Sequence, residues 1–196
     1  MRKGEQRKQE LLRIAYRMFL SNGYESTSVD AIIDQAGIAK GTYYYYFASK
    51  EQMLEEVIGM MIEEEAARAR QVLAAPLGVP QKIAGVIASL RPSREEAPIE
   101  DALNKPENVL MHKKIRQQLL ETIVPLLSEA VEEGIREGIF DCDHIPERVK
   151  MLLVISSECF DDGRFTANDI DVYVDMAEKL LGAAPGAMAF IRQLIR

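Results

Sequence analysis

Four consecutive tyrosines, Tyr43 to Tyr46, follow Lys40, Gly41 and Thr42 and precede Phe47, with Lys50 three residues further on. These residue types suit binding better than bond breaking. Phenol and alcohol hydroxyls hydrogen-bond to phosphate and to base edges, and lysine amines neutralise phosphate charge. On a helix, residues four apart share a face, which pairs Tyr43 with Phe47, Lys40 with Tyr44, and Gly41 with Tyr45. Tyr43 and Phe47 can then plug into a core while Lys40, Tyr44 and Tyr45 project outward. A helix that enters a DNA major groove needs this division. Thr42 is expected to present a short hydroxyl beside the groove. Tyr46 is expected to pack on the scaffold and reach a phosphate through its hydroxyl, while Lys40 and Lys50 by themselves read as solvated surface lysines.

The neighbouring residues supply elements that can position such a helix. Leu11, Ile14, Ala15, Met18 and Phe19 recur at the spacing of an amphipathic first helix, which Asn22-Gly23 stops. Thr27 or Ser28 can cap a short second helix, with Asp30 three residues after Thr27 as an acidic partner. Val29, Ile32, Ile33 and Ala36 give that helix its buried face, and Gly37 provides the turn. Amides near Val29, at the start of the second helix, can hold a phosphate. Ser49-Lys50-Glu51-Gln52 reads as a capping box for a long fourth helix, with Met53, Leu54, Val57, Ile58 and Met61 as its apolar stripe.

Residues Leu11 to Val57 resemble the DNA-binding domain of TetR-family transcriptional regulators. The matching pieces are Ala15-x-x-Met18-Phe19, Gly23-Tyr24-x-x-Thr27-Ser28-Val29, Ala36-Gly37, Lys40-Gly41-Thr42-x-Tyr44-x-Tyr46-Phe47 and Ser49-Lys50-Glu51. Ile33 stands where the family commonly has alanine, and Ala39 where a serine often contacts phosphate. The resemblance implies an all-α protein: a three-helix helix-turn-helix domain over residues 1–50, then a helical ligand-binding and dimerisation domain over 51–196. It further implies a homodimer on a roughly palindromic double-stranded operator, with Val29, Ala39, Lys40, Thr42, Tyr44, Tyr45, Tyr46 and Lys50 facing DNA. The implied function is that of a repressor whose operator affinity falls when a small-molecule effector binds. A helical adaptor or ligand-binding protein that has lost DNA binding is the rival reading, and the intact Lys40–Tyr46 surface argues against it.

The net charge of -7 conceals a split. Residues 1–50 hold eight Lys/Arg against five acids, while residues 51–196 hold 16 against 26. Positive charge therefore gathers at the end that carries the reading helix. Arg2, Lys3, Arg7 and Lys8 are expected to form a flexible basic arm. No apolar run is long enough for a membrane span, and the N-terminus lacks an apolar signal core, so a cytoplasmic location is expected. Cys142 and Cys159 give no disulfide framework, and Cys159 reads as a buried small residue. Neither His112 nor His144 follows a glutamate by three residues, as a di-iron bundle would need. With no nucleophile elbow and no glycine-rich phosphate loop, no enzyme, metal or cofactor is expected.

Beyond Glu51, proline and glycine breaks divide the chain into helices. One is expected to end near Leu73, one to run from Pro80 to Pro92, and a polar loop or irregular helix to fill 92–105. A helical stretch is expected from Pro106 to Leu120, and Pro125 then starts or kinks a helix that closes around Gly138, followed by Val149–Phe160, Ile170–Leu181 and a short tail helix. Met60, Met61, Met111, His112 and Arg116 are the effector candidates, because they mix adaptable apolar, titratable and cationic groups. The helix from Val149 has a second apolar side in Met151, Val154 and Ile155, and the next helix has one in Val172 and Met176. That second side suits a partner subunit, although the tail helix could cover it within one chain.

Overall fold

The computed structural model describes residues 3–90, 94–160 and 163–195. Among them the only regular structure is helical, as expected. The α helices are α1 (Lys3–Asn22), α2 (Val29–Ala36), α3 (Lys40–Tyr46), α4 (Lys50–Ala74), α5 (Val79–Ser89), α6 (Ala97–Leu103), α7 (Val109–Arg136), α8 (Ile145–Phe160) and α9 (Ala167–Leu181). Short 3-10 segments occur at Arg94–Glu96, Pro106–Asn108 and Ala189–Gln193. No helix among the described residues is long and apolar enough to cross a membrane.

The chain forms two compact units, Met1–Glu64 with Pro92–Gln118, and Glu65–Arg91 with Leu119–Arg196. The first unit thus takes in more than residues 1–50. Ile99, Ala102 and Ile115 are buried, and the Tyr16 hydroxyl donates to the Glu96 carboxylate at 3.0 Å. Burial and the Glu96 carboxylate together push the Tyr16 phenol up to about 12.

In the first unit, α1 buries Leu11, Leu12, Ala15 and Phe19, α2 buries Ile32 and Ile33, and α4 buries Met53, Leu54 and Val57. Ser28 caps α2, its Oγ accepting from the Ala31 amide at 3.1 Å. Thr27 is instead buried, and its Oγ1 donates to the carbonyls of Gly23 and Met18. Gly37 ends α2 in the left-handed region at φ 61°, the conformation a tight turn into α3 requires. At the start of α4, Ser49 Oγ accepts from the Gln52 amide, but the Gln52 side chain reaches back to the Ala48 amide at 2.7 Å. The expected box is present with its return bond one residue earlier.

In the second unit, α5, α7, α8, α9 and the tail share one apolar core that includes Val79, Val86, Ala130, Val174 and Met188. Lys82 on α5 donates to both carboxylate oxygens of Glu133 on α7 at 2.7 Å. Pro125 lies inside α7 and does not begin a new helix. Its missing amide forfeits one ladder bond, but Ile123, Leu126 and Leu127 around it are buried and hold the helix through. Thr166 and Asp169 form the expected capping box of α9. The tail is 3-10 rather than α-helical, and Cys159 is exposed rather than buried.

Candidate nucleic-acid interface

The facing of α3 follows the spacing of its aromatics. Tyr43 and Phe47 are fully buried, with ring centroids 5.7 Å apart, and the Tyr43 hydroxyl donates to the Ser49 carbonyl at 3.4 Å. Burial pushes the Tyr43 phenol up to about 12, with Tyr44 and Glu51 adding to it. Tyr44 is 48% exposed and Tyr45 81% exposed, so the next two residues of the same helix present their rings outward. Tyr46 is half-buried and stands edge-on to Tyr45 at 5.0 Å. A side chain added at Gly4 would lie 3.8 Å from the Tyr46 hydroxyl, so this tyrosine leans on the start of α1. Thr42 is half-buried beside the exposed rings, and Ala39 is exposed and gives α3 no side-chain cap.

The two lysines have partners that the sequence did not suggest. Lys40 Nζ pairs with Asp30 Oδ1 at 3.0 Å, and that hydrogen bond raises the amine above its ordinary range. Asp30 is therefore a cross-helix partner and not a box residue for α2. Lys50 Nζ sits 4.1 Å over the Tyr24 ring and donates to the Glu25 carbonyl at 3.4 Å. Burial holds its amine below the usual lysine range, against the opposing carboxylates of Glu25 and Glu51. Glu25 in turn accepts from Lys105 at 2.7 Å, which keeps its carboxyl low. Tyr24 is itself buried edge-on to Phe19 at 5.3 Å. Each lysine is thus held by groups of the first unit, Lys40 by Asp30 and Lys50 by the Tyr24 ring and the Glu25 carbonyl.

Val29 is half-buried in the first turn of α2, next to the Ser28 cap. Arg2 lies outside the described residues. The expected flexible arm is helical from Lys3 onward, with Arg7 paired to Glu10 at 2.6 Å and Lys8 to Glu56 at 2.5 Å.

This arrangement is a short helix with a buried aromatic face, an exposed aromatic face and flanking cations, set behind a capped helix and a glycine turn. Residues 11–57 match the family model of bacterial regulatory proteins of the tetR family. Over that segment the chain is similar to TetR-family regulators. TetR-family regulators also appear among solved structures of similar fold. One, from Mesorhizobium loti MAFF303099, is 18% identical with a TM-score of 0.61, covering 93% of this chain and 98% of that one. A TetR/AcrR-family regulator from Thermobifida fusca YX-ER1 is 22% identical with a TM-score of 0.55, covering 90% and 97%. The regulator FadR from Bacillus subtilis, solved with stearoyl-CoA, is 21% identical with a TM-score of 0.55, covering 90% and 98%. A search of curated proteins gave no match. Residues 11–57 thus carry the sequence pattern of a TetR-type DNA-binding domain, and α3 lies inside that match.

The effector candidates chosen from sequence all fall in the first unit. Met60, Met61, Met111 and Arg116 are half-buried and His112 is exposed. None of the five lines the apolar cavity of the second unit, which lies among α5, α7, α8, α9 and the tail. Of the dimer candidates, Met151 is 57% and Val172 67% exposed, while Val154, Ile155 and Met176 are half-buried. The tail does not cover the exposed pair. Its Met188 and Ile191 join the core on the opposite side of α8 and α9, with Val149, Leu152, Val174 and Leu181.

Proposed function

We propose that this regulator is a homodimeric cytoplasmic repressor that grips a roughly palindromic operator with α3 of each subunit and releases it when a small-molecule effector binds. The carrying observation is the alternation on α3, where Tyr43 is fully buried and Tyr44 and Tyr45 point outward between Lys40 and Lys50. Tyr44, Tyr45, Lys40 and Thr42 meet the groove. Lys50, Tyr46 and the backbone at Val29 and Ala39 meet phosphates on either side. The stearoyl-CoA complex of the Bacillus subtilis relative supports release by a ligand with a long apolar part. Sequencing the genomic fragments that the purified full-length protein retains tests the reading. Inverted half-sites about one helical turn apart are expected. No enrichment, together with no binding to random DNA at low salt, would replace the repressor by a helical adaptor that no longer binds DNA.

A further inference from the structure

We propose that the cavity of the second unit binds an uncharged aliphatic chain, and that the C-terminal segment 183–195 closes it. The cavity measures about 50 Å³ and is walled by aliphatic side chains such as Ile87, Leu127, Leu153 and Ile191. Tyr173 is its one polar lining residue, and that hydroxyl already donates to the Leu152 carbonyl at 3.0 Å. A charged ligand would leave its charge unpaired there, at a cost no dispersion contact offsets. A neutral hydrocarbon carries no such penalty.

Size identifies the moving part. An engineered cavity of ~150 Å³ admits benzene, and this one is about a third of that, so a wall must withdraw. Most walls stand on helices of eleven residues or more, held by their own ladders. Met188 and Ile191 do not; they sit on the tail, which leaves α9 through Gly182 at φ 65°. Polar contacts latch that tail. Glu178 Oε1 accepts from the Gly186 amide at 2.8 Å and the Met188 amide at 3.0 Å, and Arg192 donates to Asp171 at 2.7 Å. The Glu178 side chain is itself buried, so losing these bonds would leave its oxygen unsatisfied. Swinging the tail about Gly182 removes two large side chains and opens room for a chain of several methylenes. Glu178 is the positioning residue that sets the balance between the closed and open forms.

If this cavity is where the effector acts, the inference rests on the release reading above; binding itself does not. The experiment titrates full-length protein with 1-hexanol, hexanoate and hexylammonium while following thermal unfolding and heat of binding. Hexanol should raise the melting temperature saturably, and the two ions should not. Glu178→Gln weakens the latch at nearly constant shape and should tighten hexanol binding several-fold. Ile87→Phe fills the cavity from a half-buried position and should weaken it about tenfold, the far-ultraviolet circular dichroism confirming the fold. No saturable hexanol effect, equal effects from the ions, or a Glu178→Gln protein that binds like wild type would each overturn the proposal. Hexanol binding with unchanged operator affinity would uphold the cavity and overturn effector release through it.

Discussion

Tyr43 and Tyr44 are adjacent, chemically identical and assigned opposite tasks by burial alone. Tyr43 is fully buried against Phe47, so Tyr43→Ala should cost ~3–5 kcal/mol of folding stability, the range for deleting a core aromatic. Tyr44→Ala should leave thermal unfolding nearly unchanged and weaken operator binding by ~1–3 kcal/mol. An exchange of these effects would reverse the facing of α3. Asp30 pairs with Lys40 at 3.0 Å, and beside a bound duplex its carboxylate would offset part of that cation's attraction to phosphate. Asp30→Asn should therefore strengthen binding to any sequence, most visibly at low salt, and an unchanged or weaker affinity would show that the pair positions Lys40 rather than restrains it. Lys50→Ala should make the slope of log affinity against log salt shallower by about two units for a dimer, one per subunit. An unaltered slope would leave Lys50 with only its place over the Tyr24 ring.

At the scale of elements, side chains cap the starts of α2, α4 and α9 but not those of α3 and α5, and sequence spacing identified the capped ones. Ser28 provides the cap of an eight-residue helix too short to persist alone, so Ser28→Ala should cost about 1 kcal/mol in chemical denaturation. Thr27→Ala should cost more than Ser28→Ala, because buried Thr27 donates to carbonyls at the end of α1 and in the turn after it. Equal costs would mean the two residues share the cap. The helix-turn-helix was legible because its determinants are local: the i, i+4 pairing of Tyr43 with Phe47, a glycine turn and a capping serine. Thr166 and Asp169 were readable for the same reason. The Lys82–Glu133 and Lys105–Glu25 pairs span 51 and 80 positions, and no periodicity links residues so far apart. Pro125 left two readings open because a proline inside a helix and a proline that starts one look alike in sequence; the buried residues around it decide. The apolar cavity was invisible, since its walls are ordinary core positions of four helices and a tail. Met60, Met61 and His112 attracted attention through residue type, which says nothing about enclosure.

At the scale of the whole molecule, the remaining question is what covers α8 and α9. One side of both helices meets the core and the tail, through Val149, Leu152, Val174 and Leu181. The other side leaves Met151 and Val172 more than half exposed, while Val154 and Ile155 are half-buried and Met176 packs half-buried against the core. Large apolar groups gathered on adjacent helices suit a self-complementary two-fold contact, in which these helices from each subunit build a four-helix bundle. The proposed palindromic operator asks for the same thing, because two half-sites one turn apart would need two reading helices held at fixed spacing. Met151→Glu with Val172→Glu is the sharper disruption, since both side chains are exposed in the chain and their replacement opens no hole in the core. The double variant should keep its helical circular dichroism and its melting cooperativity, sediment as a monomer at micromolar concentration, and bind a single half-site only weakly. Its affinity for the full operator should fall by far more than the single-residue losses in α3, because one subunit then bears the whole cost of association. A double variant that still sediments as a dimer would move the interface to another face of the second unit, and a monomeric wild type would remove the two-fold operator with it.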